Sequence, residues 1–284
     1  MTEKVLADYN DVFADIVNAY FSISMKGKKN KLQKINPENL KDTHSKSIYK
    51  ADKKIHEQER DVVKLWLSKG IVICLLGLEN QTNINNDMPL RIFGYEGADY
   101  RKQLLNDNNE RYFVITIVLY YGTDKRWKTP LDLFERLNIP DEYKPFVNNC
   151  KINLLELAWL TDEEASYFKS DFRYVVDYLR QVRMKKNYAP VDGEVKHVDE
   201  LLKLMYVLTG DQRFENAKNN AKIQQEKGEK IMIKSFLQEA EEKGFAQGIA
   251  QEHSKMIRNF RETLTDSGLD IEQVEKIMLS LASK

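Results

Sequence analysis

DVVKLWLSKGIVICLLGLENQ, at residues 61–81, is the stretch that decides the fold. Polar and apolar residues alternate as far as Trp66, which is typical of a strand with one buried face. The turn residues 68–70 follow, and then an apolar run from Ile71 to Leu78, which is typical of a strand buried on both faces. The stretch therefore predicts a β-hairpin whose second strand lies inside a sheet.

Polar side chains gather at the open end of this hairpin. The turn places Asp61 across from about Gly77, with Glu79 one step further along. Glu79 and Gln81 are two positions apart and share one face of their strand. Paired carboxylates at a strand end suit a hard divalent cation such as Mg²⁺, which takes oxygen ligands and keeps several waters. The alternative is that the two acids only mark strand ends where charges reach solvent.

The flanking sequence predicts an α/β fold. An amphipathic helix opens the chain and carries Asp8, Asp11 and Asp15 on a stripe that we expect to face solvent. Residues 26–54 form a lysine-rich connection with a short strand at 47–49. Further elements are a helix at 87–105, strands at 112–121 and 150–157, and helices at 162–186, 194–209, 211–265 and 270–281.

Composition excludes several classes of protein. Lys and Arg number 44 and Asp and Glu also number 44, so nucleic acid could bind only at a local patch. Only two cysteines occur, which excludes a disulfide framework, and the four histidines show no metal-ligand spacing. No signal core or membrane-length apolar run is present, so we expect a cytoplasmic protein without a membrane partner.

The order of these elements resembles the restriction-endonuclease-like core, a mixed central sheet flanked by helices. Its PD-(D/E)XK motif ends in Lys where this chain has Gln81. More specifically, the chain resembles the bacterial Rpn family of recombination-promoting nucleases and YhgA-like transposases. The motifs that carry this resemblance are YNDVFADI at 9–16, SIYKAD at 47–52, EQERDVVK at 57–64, GLENQT at 77–82, DMPLRIFGYEGADYRKQL at 87–104 and VLYYGT at 118–123.

The resemblance implies a metal-dependent DNA endonuclease that promotes recombination or transposition. It implies that Asp61 and Glu79 are metal ligands and that Gln81 takes the place of the water-orienting lysine. It also implies that Asp11 is the acid contributed by the first helix. The residues alone leave this open, because Asp8 and Asp15 lie on the same stripe and an acidic solvent face would also explain it.

Arg91 and Tyr95 are candidate substrate-binding residues. They lie one helical turn apart directly after the strand of Glu79, where they could contact a scissile phosphate. The alternative is an arginine paired with a neighbouring acid beside a packed tyrosine. Gln81 can hold a water by hydrogen bonds but brings no positive charge to the phosphate.

Three regions follow from this interpretation. Residues 1–160 form the nuclease domain, 161–210 a helical extension packed on it, and 211–284 a helical tail that contains Glu-Lys-Gly repeats. One alternative function is a catalytically weak or inactive DNA-binding protein of the same fold. Another is an interaction protein that forms a homo-oligomer through its C-terminal helices.

Overall fold

The computed structural model describes residues 6–28, 32–43, 46–51, 54–105, 111–186, 188–210, 212–215, 217–218, 230–234 and 238. Its strands are β1 (Leu40–Asp42), β2 (Lys46–Ala51), β3 (Lys54–Glu59), β4 (Val62–Ser68), β5 (Ile71–Gln81), β6 (Phe113–Tyr120) and β7 (Asn153–Glu156). Its helices are α1 (Asn10–Ser24), α2 (Met88–Leu104), α3 (Leu133–Leu137), α4 (Asp162–Ala165), α5 (Phe172–Arg183) and α6 (Val198–Thr209).

The central sheet has five strands in the order β1-β4-β5-β6-β7, and β2 and β3 form a separate two-stranded sheet. The predicted hairpin is the antiparallel pair β4 and β5. Helix α2 then carries the chain across to β6, which runs parallel to β5, and β7 runs parallel to β6. This mixed sheet with flanking helices confirms the α/β fold with a restriction-endonuclease-like core.

The register of the hairpin differs from the prediction by two residues. Val63, not Asp61, pairs with Gly77, and Val62 pairs with Leu78. One cause is an irregularity between Trp66 and Leu67, which pair with Cys74 and Val72, so that β5 carries one residue, Ile73, more than β4. The other is that the turn residues are Lys69 and Gly70, both with positive φ. Asp61 therefore lies level with Glu79.

The two faces of the sheet are covered by different helices. Leu76 and Leu78 of β5 belong to the same buried cluster as Phe13 of α1. The side chains that lie between these along β5 and β6 point to the opposite face of the sheet, where Val118 of β6 packs with Ile92 of α2. Glu79 pairs with Val118 in the parallel ladder and so lies on the α2 face.

The helical segment after the sheet covers α1. Phe172 of α5 and Leu201 of α6 are fully buried in the cluster that contains α1. The expectation that the acidic stripe of α1 faces solvent was therefore wrong for Asp15, whose carboxylate accepts the backbone N–H groups of Lys169 and Ser170 at 2.8 and 2.7 Å. These two residues lie between α4 and α5, so the helix predicted at 162–186 is broken there.

Part of the predicted tail also packs on this core. Phe214 and Ile231 are buried in the same cluster. The backbone N–H of Val195 donates to the carbonyl of Ile231 at 2.9 Å. Most of the helices predicted at 211–265 and 270–281 lie outside the described residues, and the domain limits stay a prediction. No helix in the described ranges combines the length and apolar character needed to cross a membrane.

Candidate active site

Glu79 is the most deeply buried acid at the open end of the hairpin. Its side chain is 1% exposed, and its Oε1 has no hydrogen-bond partner among the described residues. Burial, followed by the negative charge of Asp61, raises the pKa of Glu79 to about 8. A buried carboxylate oxygen without a partner is costly unless a proton or a cation meets it.

Asp61 is fixed beside Glu79 by the end of the hairpin. Its Oδ2 accepts the backbone N–H of Asn80 at 2.7 Å, immediately after Glu79 in β5. The side chain is only partly buried, so its remaining oxygen positions can reach solvent. The structure thus brings together the two carboxylates that the sequence predicted as a pair.

Arg91 and Tyr95 approach the same carboxylate from α2. Nη2 of Arg91 lies 3.4 Å from Oε2 of Glu79 and donates to the hydroxyl of Tyr95 at 3.0 Å. The side chain of Arg91 is 36% exposed, whereas Tyr95 is buried. Burial and the charge of Glu79 raise the pKa of Tyr95, so its hydroxyl keeps its proton. The structure therefore brings the predicted substrate-binding pair to the predicted metal ligands.

Gln81 ends β5 on the same face as Glu79. It pairs with Tyr120 in the parallel ladder, two positions after Glu79 pairs with Val118. Its backbone oxygen accepts the N–H of Tyr121 at 2.9 Å, which fixes the end of the strand. The amide side chain is partly buried at the rim of the site.

Arg60 is a residue of this site that the sequence analysis missed. Its side chain is 3% exposed, forms an ion pair with Asp99 and donates to Oγ1 of Thr116 at 3.0 Å. Its guanidinium lies across Gly77 and 5.9 Å from the ring centre of Tyr95. The available signals were a basic residue next to Asp61 and a glycine inside a buried strand.

Acidic groups outnumber basic groups on this face of the sheet. Burial raises the pKa of Glu96, which hydrogen-bonds Thr116 near Arg60. The cluster holds four carboxyl groups and two guanidinium groups, which belong to Asp61, Glu79, Glu96, Asp99, Arg60 and Arg91. Added positive charge would stabilise the ionised carboxylates.

A divalent cation fits this donor set. The described residues contain no group of three or more His, Cys, Asp or Glu side chains placed to hold a metal ion. A cation at this site would therefore have two such ligands among them, the carboxylates of Asp61 and Glu79. Mg²⁺ is commonly bound by one or two carboxylates and retains several waters. The unpartnered Oε1 of Glu79 is the observation that makes the pair suitable.

Asp11 lies away from this cluster, in the helix on the other face of the sheet. Its Oδ1 and Oδ2 are 2.9 and 3.1 Å from Nε2 of His197. The His197 ring stacks on Tyr9 with ring centres 3.8 Å apart. The described contacts of Asp11 thus join α1 to the start of α6, and no short-range sequence pattern could have revealed them because the two residues are 186 positions apart.

Comparison with known proteins supports the resemblance seen in the motifs. Residues 37–207 match a protein-family model described as "Putative transposase, YhgA-like". Comparisons with curated proteins and with solved structures gave no match. The matched range contains Asp61, Glu79, Arg91 and the whole central sheet, and it covers more than half of the chain. The chain therefore belongs to the YhgA-like transposase family.

Proposed function

We propose that this protein is a metal-dependent DNA endonuclease that promotes recombination or transposition. The observation that carries the proposal is the buried, unpartnered Oε1 of Glu79 beside the carboxylate of Asp61. Family membership supports a nuclease or transposition role in general. Asp61 and Glu79 would hold Mg²⁺ or another divalent cation.

Each neighbouring side chain has a task in this proposal. The bound cation would supply positive charge at the scissile phosphate and acidify a water. Gln81 shares the face of Glu79, so its amide can orient the attacking water by hydrogen bonds. Arg91 is partly exposed and can bind a phosphate oxygen, and its guanidinium also donates a hydrogen bond to the hydroxyl of Tyr95. A catalytic role for Asp11 stays a prediction, since its described contact is with His197.

A binding protein of the same fold without useful catalysis is the second candidate. Gln81 favours it, because an amide cannot replace the positive charge of the motif lysine. Such a protein would still bind DNA and a divalent cation. It would differ from the nuclease only in the absence of strand cleavage.

The direct test is a nicking assay on supercoiled plasmid with the full-length chain. We expect cleavage with Mg²⁺, none with EDTA, and none for Asp61→Asn or Glu79→Gln. Glu142→Gln is the matched control, since Glu142 is exposed in a turn and should cleave like wild type. Cation binding without cleavage by the wild-type chain would favour the second candidate, and full activity of Glu79→Gln would contradict the site.

A further inference from the structure

We propose that Arg91 and a divalent cation are alternative partners of the Glu79 carboxyl group: Arg91 contacts it in the metal-free protein, and a bound cation displaces the guanidinium toward the phosphate of the nucleic acid. This inference rests on the proposed function, since it takes Asp61 and Glu79 as the cation ligands. It adds a link between cation loading and phosphate binding through one side chain.

Arg91 and a cation would compete for the same carboxylate. Oε2 of Glu79 is 3.4 Å from Nη2 of Arg91, while Oε1 has no partner in the described part of the chain. Since Glu79 is 1% exposed, water screens its carboxyl group poorly once that group is ionised, and the partly exposed Arg91 then supplies positive charge. A cation at Oε1 would place a second positive charge close to the guanidinium, and the two would repel.

Arg91 is placed to move, whereas Arg60 is not. The side chain of Arg91 is 36% exposed, and its contact with Glu79 is long for a hydrogen bond. Its second partner, the hydroxyl of Tyr95, lies one helical turn further along α2. Arg60 is 3% exposed and is held by Asp99 and Thr116. Arg60 is therefore held in place within the site, whereas the guanidinium of Arg91 can turn toward a ligand.

Exchange of this kind couples the two ligands. A cation that releases Arg91 from Glu79 increases the positive charge available to a phosphate. Linkage requires the reverse effect of equal size, so bound nucleic acid would raise the affinity for the cation. The protein would thus bind DNA most tightly when its cation site is loaded.

The first test is a calorimetric titration of the full-length chain with Ca²⁺ alone. It is carried out at about pH 9, which is above the pKa of Glu79. We expect Arg91→Gln to bind Ca²⁺ at least about threefold more tightly than wild type, because repulsion is removed. Arg91→Lys keeps the charge and should bind like wild type. Arg101→Gln, an exposed arginine on the same helix, is the matched control and should also be unchanged. Arg91→Met provides a second removal of the charge if the first variant does not fold.

The second test measures binding of a short labelled DNA duplex with Ca²⁺ and with EDTA. Wild type should bind more tightly with Ca²⁺, and this gain should shrink for Arg91→Gln but not for Arg101→Gln. If wild type binds Ca²⁺ and Arg91→Gln binds it equally or less tightly, the exchange is overturned while the metal site stands. If wild type binds no divalent cation, the proposed function itself fails.

Discussion

Arg60 lies across Gly77 so closely that a Cβ atom on residue 77 would be 2.6 Å from Nη1 of Arg60. This contact explains why a glycine interrupts the apolar run of β5. The guanidinium fills the volume that any side chain at this position would need. Positions 77 and 79 lie on the same face of β5. The absence of a side chain at Gly77 therefore also determines how near Arg60 comes to Glu79.

Gly77→Ala should destabilise the protein by about 2 kcal/mol or more, because the added methyl group displaces a buried charge from its partners. Urea denaturation of the metal-free chain measures this. Gly97→Ala is the matched control, since nothing lies within 4 Å of a Cβ there. Because Gly97 is inside α2, that change should be neutral or stabilising by up to ~1 kcal/mol. Equal effects of the two substitutions would contradict the role given to Arg60.

The stability of the metal-free protein should fall as the pH rises from about 4.5 to about 8. Folding raises the pKa of Glu79, so the folded state holds a proton that the unfolded state releases in this window. The stabilisation is complete below the ordinary pKa and is lost as the pH passes the folded value. Thermal melting in EDTA checks this. Glu79→Gln should flatten this part of the profile, and an unchanged slope would count against the burial of an acid here.

Binding of a divalent cation near pH 7 should release about one proton, because Glu79 must ionise to become a ligand. Calorimetry of Mn²⁺ binding in two buffers of different ionisation enthalpy gives the number of protons. At about pH 9 the release should largely disappear, since Glu79 is then ionised before the cation arrives. Release that is independent of pH would point to other ligands.

Asp11→Asn and His197→Gln should each lower the free energy of unfolding by about 1 kcal/mol, since their contact is only partly buried. The double variant should cost less than the two single changes together if the pair acts as a unit. Neither change should alter the affinity for Mn²⁺. Loss of Mn²⁺ binding in Asp11→Asn alone would instead support the role in the site that the family resemblance implies.

Phe214→Ala should destabilise the chain by about 3–5 kcal/mol, the usual range for a buried phenylalanine. Phe214 is 0% exposed and packs edge-on against Tyr178 of α5 with ring centres 5.7 Å apart. Val207→Ala is the control, because Val207 is exposed on α6. A small effect of Phe214→Ala in chemical denaturation would mean that residues beyond 210 fold independently of the core.

Local patterns made the fold predictable, and the hairpin made the acid pair predictable. The apolar run in β5 is set by burial on both faces, which sequence records directly. In β4 the pattern predicted the strand but not its burial, since Lys64 is buried like its apolar neighbours Val62 and Val63. The register was wrong by one residue because the turn is Lys69-Gly70, and by another because the irregularity between Trp66 and Leu67 leaves no mark in the pattern. The position of Asp61 therefore had to be corrected by two residues.

The missed features depend on contacts between distant parts of the chain. In the sequence, Arg60 is a charged residue beside Asp61 with no sign of burial. Its side chain is buried because the fold brings it against Thr116, which is 56 positions away. Asp11 and Asp15 contact residues between 169 and 197 as well as reaching solvent, since Asp15 accepts two backbone N–H groups and Asp11 contacts His197 while staying 36% exposed. Helical periodicity cannot distinguish a polar face that meets solvent from one that makes hydrogen bonds within the protein.

All the groups proposed to act on the substrate come from one short length of chain. They are Asp61 directly before β4, Glu79 and Gln81 at the end of β5, and Arg91 and Tyr95 in the first half of α2. Contacts over such short separations form with little loss of chain entropy, so this unit can assemble early in folding. If α5 and α6 open locally, as hydrogen exchange would detect, the proposed metal ligands Asp61 and Glu79 would stay in place. A permuted chain whose new ends fall in the exposed loop near residue 141 would keep the unit unbroken.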